Sequence, residues 1–157
     1  MPLLNLTSEL IQILSTAGIG LLVGALLTEG CLLVPYWHSL SADRFHALYR
    51  ELHPLLYRYF TPLTVAPLLL SLIAGVTSIL VAGSKSWSTL TAGVLMVCVT
   101  ATHEIYFKKA NSQFAAGSLS PDELSHELAR WSAWNWFRVG LGLMAFSASI
   151  LGLRFGS

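Results

Sequence analysis

From Leu10 to Trp37 the chain carries a single charged side chain, Glu29. A helix needs roughly 20 predominantly apolar residues to cross a bilayer, and this run is longer than that. Three further runs follow: Pro54 to Ala82, Trp87 to about Phe107, and Trp131 to about Leu153. The expectation is an all-α protein, one domain over residues 1–157, with transmembrane helices at about 10–37, 54–82, 87–107 and 131–153. Composition agrees. Hydrophobic residues make up 54% and charged residues 11%, where a soluble domain carries about 25% charge. One small core cannot hide that much apolar surface, so the lipid bilayer is the chain's first partner. A net charge of +1 gives no electrostatic basis for binding nucleic acid. The N-terminus does not read as a secretory signal, because it lacks a basic leader, carries Glu9 and continues into too long an apolar run.

Several local features fill in the bundle. Gly20 and Gly24 form a small-xxx-small pair in the first helix, of the kind that lets two membrane helices approach closely. Ser41 to about His53 places Phe45, Leu48 and Leu52 on one side and its charges elsewhere, which predicts a short amphipathic helix in the headgroup plane. Pro62 and Pro67 lie inside the second span, where a bend is expected. Gly83 to Ser86 reads as a turn, and Asn111 to Leu119 as a polar connection. Ser120-Pro-Asp-Glu123 then reads as a helix start with a capping box. Cys31 and Cys98 fall in apolar runs and read as buried free thiols.

Lysine and arginine in short loops set orientation. Arg44, Arg50, Arg58, Lys108, Lys109 and Arg130 fall on one side, against Lys85 and Arg154 on the other. This predicts a multi-pass protein with the 1–2 and 3–4 loops cytoplasmic and both termini outside.

The stretch Leu128 to Leu141 carries the functional argument. As a helix it sets Trp131, Trp134, Asn135 and Arg138 at i, i+3, i+4 and i+7, on one face. Arg138 then lies inside the membrane, and an ionisable group there marks a site by default. Glu29 lies about six residues inside helix 1, His103 about five inside Lys108, and Arg138 about seven inside Trp131. At 1.5 Å per residue each is roughly 7–10 Å below the cytoplasmic interface. His53 stands at the mouth of helix 2. Glu29, His53, His103, Glu104, Asn135 and Arg138 are therefore expected to converge in one layer of a four-helix bundle, in a pocket opening to the cytoplasmic half. His38, His46 and His126 read as solvated interfacial residues.

Four uses of such a layer are open. A structural lock would pair Glu29 or Glu104 with Arg138 and leave His103 to a neighbour. A transition-metal site would draw on His53, His103, Glu104 and Glu29, although adjacent His103 and Glu104 point about 100° apart on a helix. Acid–base chemistry on a lipophilic, aromatic small molecule would use Glu29 or His103 as base and Arg138 as oxyanion partner, making these three the catalytic candidates. His53, Trp131, Trp134 and Asn135 would then hold the substrate. Proton or metal conduction is the fourth. No cofactor is favoured.

The pattern resembles the DUF1772, or anthrone oxygenase-like, family of small four-helix membrane proteins. The resemblance is carried by Gly20-Leu-Leu-Val-Gly24 leading to Val34-Pro35, the amphipathic stretch before helix 2, and Trp131-Ser-Ala-Trp-Asn-Trp-Phe-Arg138. It implies oxygenation of aromatic anthrone-type compounds without an obvious prosthetic group, with Asn135 and Arg138 matching the helix 4 motif. Helix 3 departs from the family pattern: His103-Glu104 stands where an asparagine-centred motif is expected.

Overall fold

The computed structural model describes residues 2–82 and 87–155. The turn expected at Gly83 to Ser86, and Lys85 with it, lies outside the described residues. In chain order the elements are α1 (Pro2–Thr28), a first π turn (Glu29–Leu33), α2 (Val34–His38), α3 (Ala42–Ala82), α4 (Trp87–Thr102), a second π turn (His103–Phe107), α5 (Lys108–Ala116) and α6 (Pro121–Phe155). Helices α1, α3, α4 and α6 form a closed ring, each packed against the next and α6 back against α1. This is a four-helix bundle. Four stretches, Asn5–His38, Ala42–Leu80, Trp87–Ala116 and Pro121–Arg154, are long and apolar enough to cross a membrane. The protein is an integral membrane protein.

Two local expectations change. The stretch from Ser41 to His53 is not a separate interfacial helix. From Ala42 it forms the first part of a single 41-residue helix, α3, which continues through Pro54, Pro62 and Pro67. Its apolar side has protein to bury against: Phe45 and Tyr49 meet Phe114 at ring separations of 5.2 and 5.3 Å, so the headgroup plane is not needed. For the same reason much of the polar connection after Asn111 is helical, with Phe114 fully buried on α5.

Gly117 ends α5 at φ 65°, a left-handed conformation that costs any residue with a Cβ about 1–2 kcal/mol. The last carbonyls of α5 are held from α3. The two ring nitrogens of His46 lie 3.2 Å from the Phe114 and Leu119 oxygens, and Arg50 Nε donates to Ala115 O at 3.5 Å. His46 is thus buried at the joint, not solvated. His38 and His126 are exposed. The capping box forms as read: the amide and hydroxyl of Ser120 both donate to Glu123 Oε2, at 2.8 and 2.7 Å.

Helix approach also differs in detail. Gly24 faces open space, and a Cβ on Gly20 would come 3.0 Å from the Phe146 ring. The close contact between α1 and α3 is at Gly18, where a Cβ would lie 3.0 Å from the Cβ of Pro67. Cys31 and Cys98 are exposed on the outside of the bundle, not buried. At the end of the bundle holding both termini, polar side chains join the helices: Gln12 Nε2 donates to Thr89 Oγ1 at 2.9 Å, and the hydroxyls of Thr16 and Ser149 are 2.5 Å apart. Hydrogen bonds of this kind help hold membrane helices, where lipid supplies no hydrophobic drive for association.

Candidate functional site

Two π turns place the ionisable groups. Each inserts a residue, so the backbone N–H of Val34 reaches back to Glu29 O and that of Lys108 to His103 O. Such bulges concentrate at functional sites. Here Glu29 opens one and His103 opens the other. The first π turn lies directly against α6: a Cβ on Gly30 would come 3.0 Å from Asn135 Nδ2 and 3.3 Å from the Trp136 ring. A larger residue would have to push these side chains back by a few tenths of an ångström.

Glu29 is 5% exposed and accepts from Arg138 Nη2 at 2.9 Å. The same nitrogen donates to Asn135 Oδ1 at 2.9 Å, and Asn135 Nδ2 donates to Leu26 O at 3.2 Å. The guanidinium carbon lies 4.1 Å from the centre of the Phe107 ring, within cation–π range. Arg138 Nε is buried without a hydrogen-bond partner, the only such side-chain atom among the described residues. Buried donors are nearly always paired, so this guanidinium is one acceptor short.

Beside the pair lies a cavity of about 520 Å³, within the roughly 300–1,000 Å³ usual for small-molecule sites. Glu29, Arg138, His53, His103 and Trp131 all line it. Neither imidazole has a hydrogen-bond partner among the described residues, whereas Trp131 Nε1 is held by Asn111 Oδ1 at 2.9 Å. Trp37, Tyr49, Phe60 and Phe107 supply most of the aromatic wall. No family model, curated protein or solved structure matches the chain.

The convergence expected of six residues is partial. Glu29, Asn135 and Arg138 are bonded together, and His53 and His103 share the cavity with the pair. Glu104 is not in the layer. Its carboxylate is 63% exposed and bonds Lys108 Nζ at 2.8 Å, one turn along, because its neighbour His103 takes the inward direction. Trp134 does not line the cavity either. It stacks on Tyr106 at 5.1 Å and 8°, a ring anchored by its own hydroxyl bond to Glu127 at 2.8 Å. With Glu104 turned out and Glu29 engaged by Arg138, the metal set proposed from sequence does not assemble. Among the described residues no three His, Cys, Asp or Glu side chains come together as ligands.

Sequence reading missed Tyr49, Leu56, Phe60 and Thr64, which line the cavity with His53. With His53 they follow at intervals of four, three, four and four along one helix, a single face. A helix boundary at Pro54 would split that face, and the helix runs through Pro54 unbroken.

Proposed function

We propose that the protein is a membrane enzyme acting on a lipophilic aromatic compound held in this cavity, by oxygenation of the anthrone oxygenase-like kind. The observation that carries the reading is a buried carboxylate–guanidinium pair, with an acceptor still wanting, in the wall of an aromatic cavity. Glu29 or His103 would take a proton from a C–H flanked by aromatic rings and a conjugated carbonyl. Arg138 would hold the oxyanion that develops. The carbanion adds O2, and the resulting hydroperoxide loses water, so one O2 converts the CH2 to a carbonyl and releases one water. The test is oxygen uptake by nanodisc-embedded protein given anthrone, against empty nanodiscs. Uptake matched one-to-one by quinone is expected. Glu29→Gln or His103→Ala, whichever removes the base, is expected to lower turnover by about 10²–10⁴-fold. Uptake no faster than in empty nanodiscs would remove the oxygenase reading.

A non-catalytic role is favoured by one observation. The bonds from Arg138 to Glu29 and from Asn135 to Leu26 O tie α6 to α1, as a structural lock would. A proton or metal carrier has less support, since Ile19, Leu22, Leu26, Met96 and Val99 fill the bundle below the cavity with apolar side chains.

The basic residues flanking the 1–2 and 3–4 loops support a cytoplasmic position for both loops. With Cys31 and Cys98 replaced by alanine, Ser118→Cys is expected to label with an impermeant maleimide only from the cytoplasmic side. Labelling from outside would invert the topology.

A further inference from the structure

The cavity's walls differ in exposure. On α1, α2 and the near part of α6 its lining is closed: Leu22, Leu26, Glu29, Trp37 and Trp131 are all 5% exposed or less. On α3 and α5 it is open. Tyr57 and Val65 are 59% and 43% exposed, the Lys108 side chain is 68% exposed, and Thr61 and Ser112 are exposed as well. Helix α3 packs along α4 and again along α5, and only slightly if at all against the second π turn between them.

Above and below, the cavity is stopped. Trp37, Phe45, Tyr49, Phe114 and Trp131 form a buried aromatic roof at the loop end of the bundle. Ile19, Leu22, Leu26, Met96 and Val99 form the floor. The gap therefore faces sideways. The level is marked along the helices: Lys108 on one post, and Arg58 and Tyr59 at the same height of α3, are the mixture of cations and tyrosine found where headgroups meet acyl chains, while Leu55 and Leu69 on α3 are exposed at 58% and 53%.

We propose that the cavity is filled sideways from the bilayer, through a window between Tyr57, Thr61 and Val65 on one post and Lys108 and Ser112 on the other, by a neutral amphiphile. The planar head lies inward against Arg138 and the apolar tail stays in the window. This rests on the reading that the cavity holds a lipophile, but not on any reaction there. Polarity sets the direction of entry. The polar groups Glu29 and Arg138 are at the deep wall, with Asn135 behind them bonded to Arg138 and outside the lining, and the window's inner edge ends in Val65. Charge sets the class of head. Glu29 and Arg138 cancel, so an ionic head would enter low dielectric uncompensated. Arg138 Nη1 makes no hydrogen bond and, unlike Nε, is not buried, so a carbonyl or hydroxyl oxygen can accept from it without that cost.

The test uses two probes with one head: dimethylnaphthoquinone, and phylloquinone, which adds a long isoprenoid tail. Both quench tryptophan fluorescence, and Trp37 and Trp131 line the cavity. In phosphatidylcholine nanodiscs both are expected to quench saturably, with the tail leaving affinity for the head intact. The window is then narrowed after folding, in protein with Cys31 and Cys98 replaced by alanine. Ser112→Cys, and separately Thr61→Cys, are capped with cyclohexylmaleimide. Capping is expected to weaken both probes by at least about tenfold, a change of 1.4 kcal/mol, relative to the same variant uncapped. Saturable binding of the small head with exclusion of phylloquinone would overturn the window and leave the cavity standing. Unchanged affinity after capping at both positions would also overturn it. Failure of both probes in the uncapped protein would sink the proposal together with the lipophile reading beneath it.

Discussion

Arg138→Ala is expected to destabilise the bundle by about 3–5 kcal/mol, the cost of breaking a buried ion pair from one side. Against a typical total of about 5–15 kcal/mol that is a large share, and it should appear as a much lower melting temperature in detergent. The substitution strips the donor from Glu29, 5% exposed, and from Asn135 Oδ1, whose residue is fully buried. Glu29 can limit the loss only by taking up a proton. Replacing both partners, Glu29→Met with Arg138→Met, keeps similar volume without the charges and is expected to regain most of the stability. The double variant separates the two functional readings. A lock is replaceable by apolar packing. An enzyme site is not, and the double variant should melt normally yet neither bind the naphthoquinone head nor turn over anthrone. A single Arg138→Ala protein as stable as the parent would mean that the pair carries no structural weight.

Trp37→Ala should have a comparable effect through a different cause. Trp37 is 1% exposed and meets Phe45, Tyr49 and Trp131 edge to face, with ring centres 6.0, 5.7 and 5.4 Å apart. Emptying its volume costs about 3–5 kcal/mol, the transfer loss plus the void. Trp37→Phe, which keeps a ring in place, should cost less. The second consequence is functional. Trp37 is part of the cavity's roof, and without it the aqueous phase gains a path inward. Trp131, 2% exposed in the intact protein, is then expected to become quenchable by iodide. Trp131 remaining shielded in a folded Trp37→Ala protein would show that other side chains close the roof.

The spans, the capping box and the need of Arg138 for a partner at its own depth could be read from the chain, because each depends on local pattern or on depth below an interface. Arg138 needed a counter-ion at its own level, and depth offered both Glu29 and Glu104; the structure pairs it with Glu29. What could not be read was direction around the helix axis. Glu104 and Trp134 were assigned to the site by regular spacing. Glu104 lies within the second π turn, and Trp134 faces Tyr106 of that same turn. The proline at position 54 misled in a related way. In water it would argue for a boundary, but in a membrane helix neighbouring groups satisfy what it frees. Reading α3 as continuous would have put Tyr49, His53, Leu56 and Phe60 on one stripe.

The two π turns also divide the molecule into halves that need not share a periodicity. Each adds one residue to a helix of 3.6 per turn, a phase slip of about 100°. In α1–α2 the slip falls between Leu26, which faces the bundle centre, and Trp37, which faces the aromatic roof. In α4–α5 it falls between Val99 and Phe114. Lipid-embedded and loop-end segments of one rod can each present the stripe its own surroundings require. Removing a single residue from either turn would bring the two back into step, and one of those stripes would then face the wrong way.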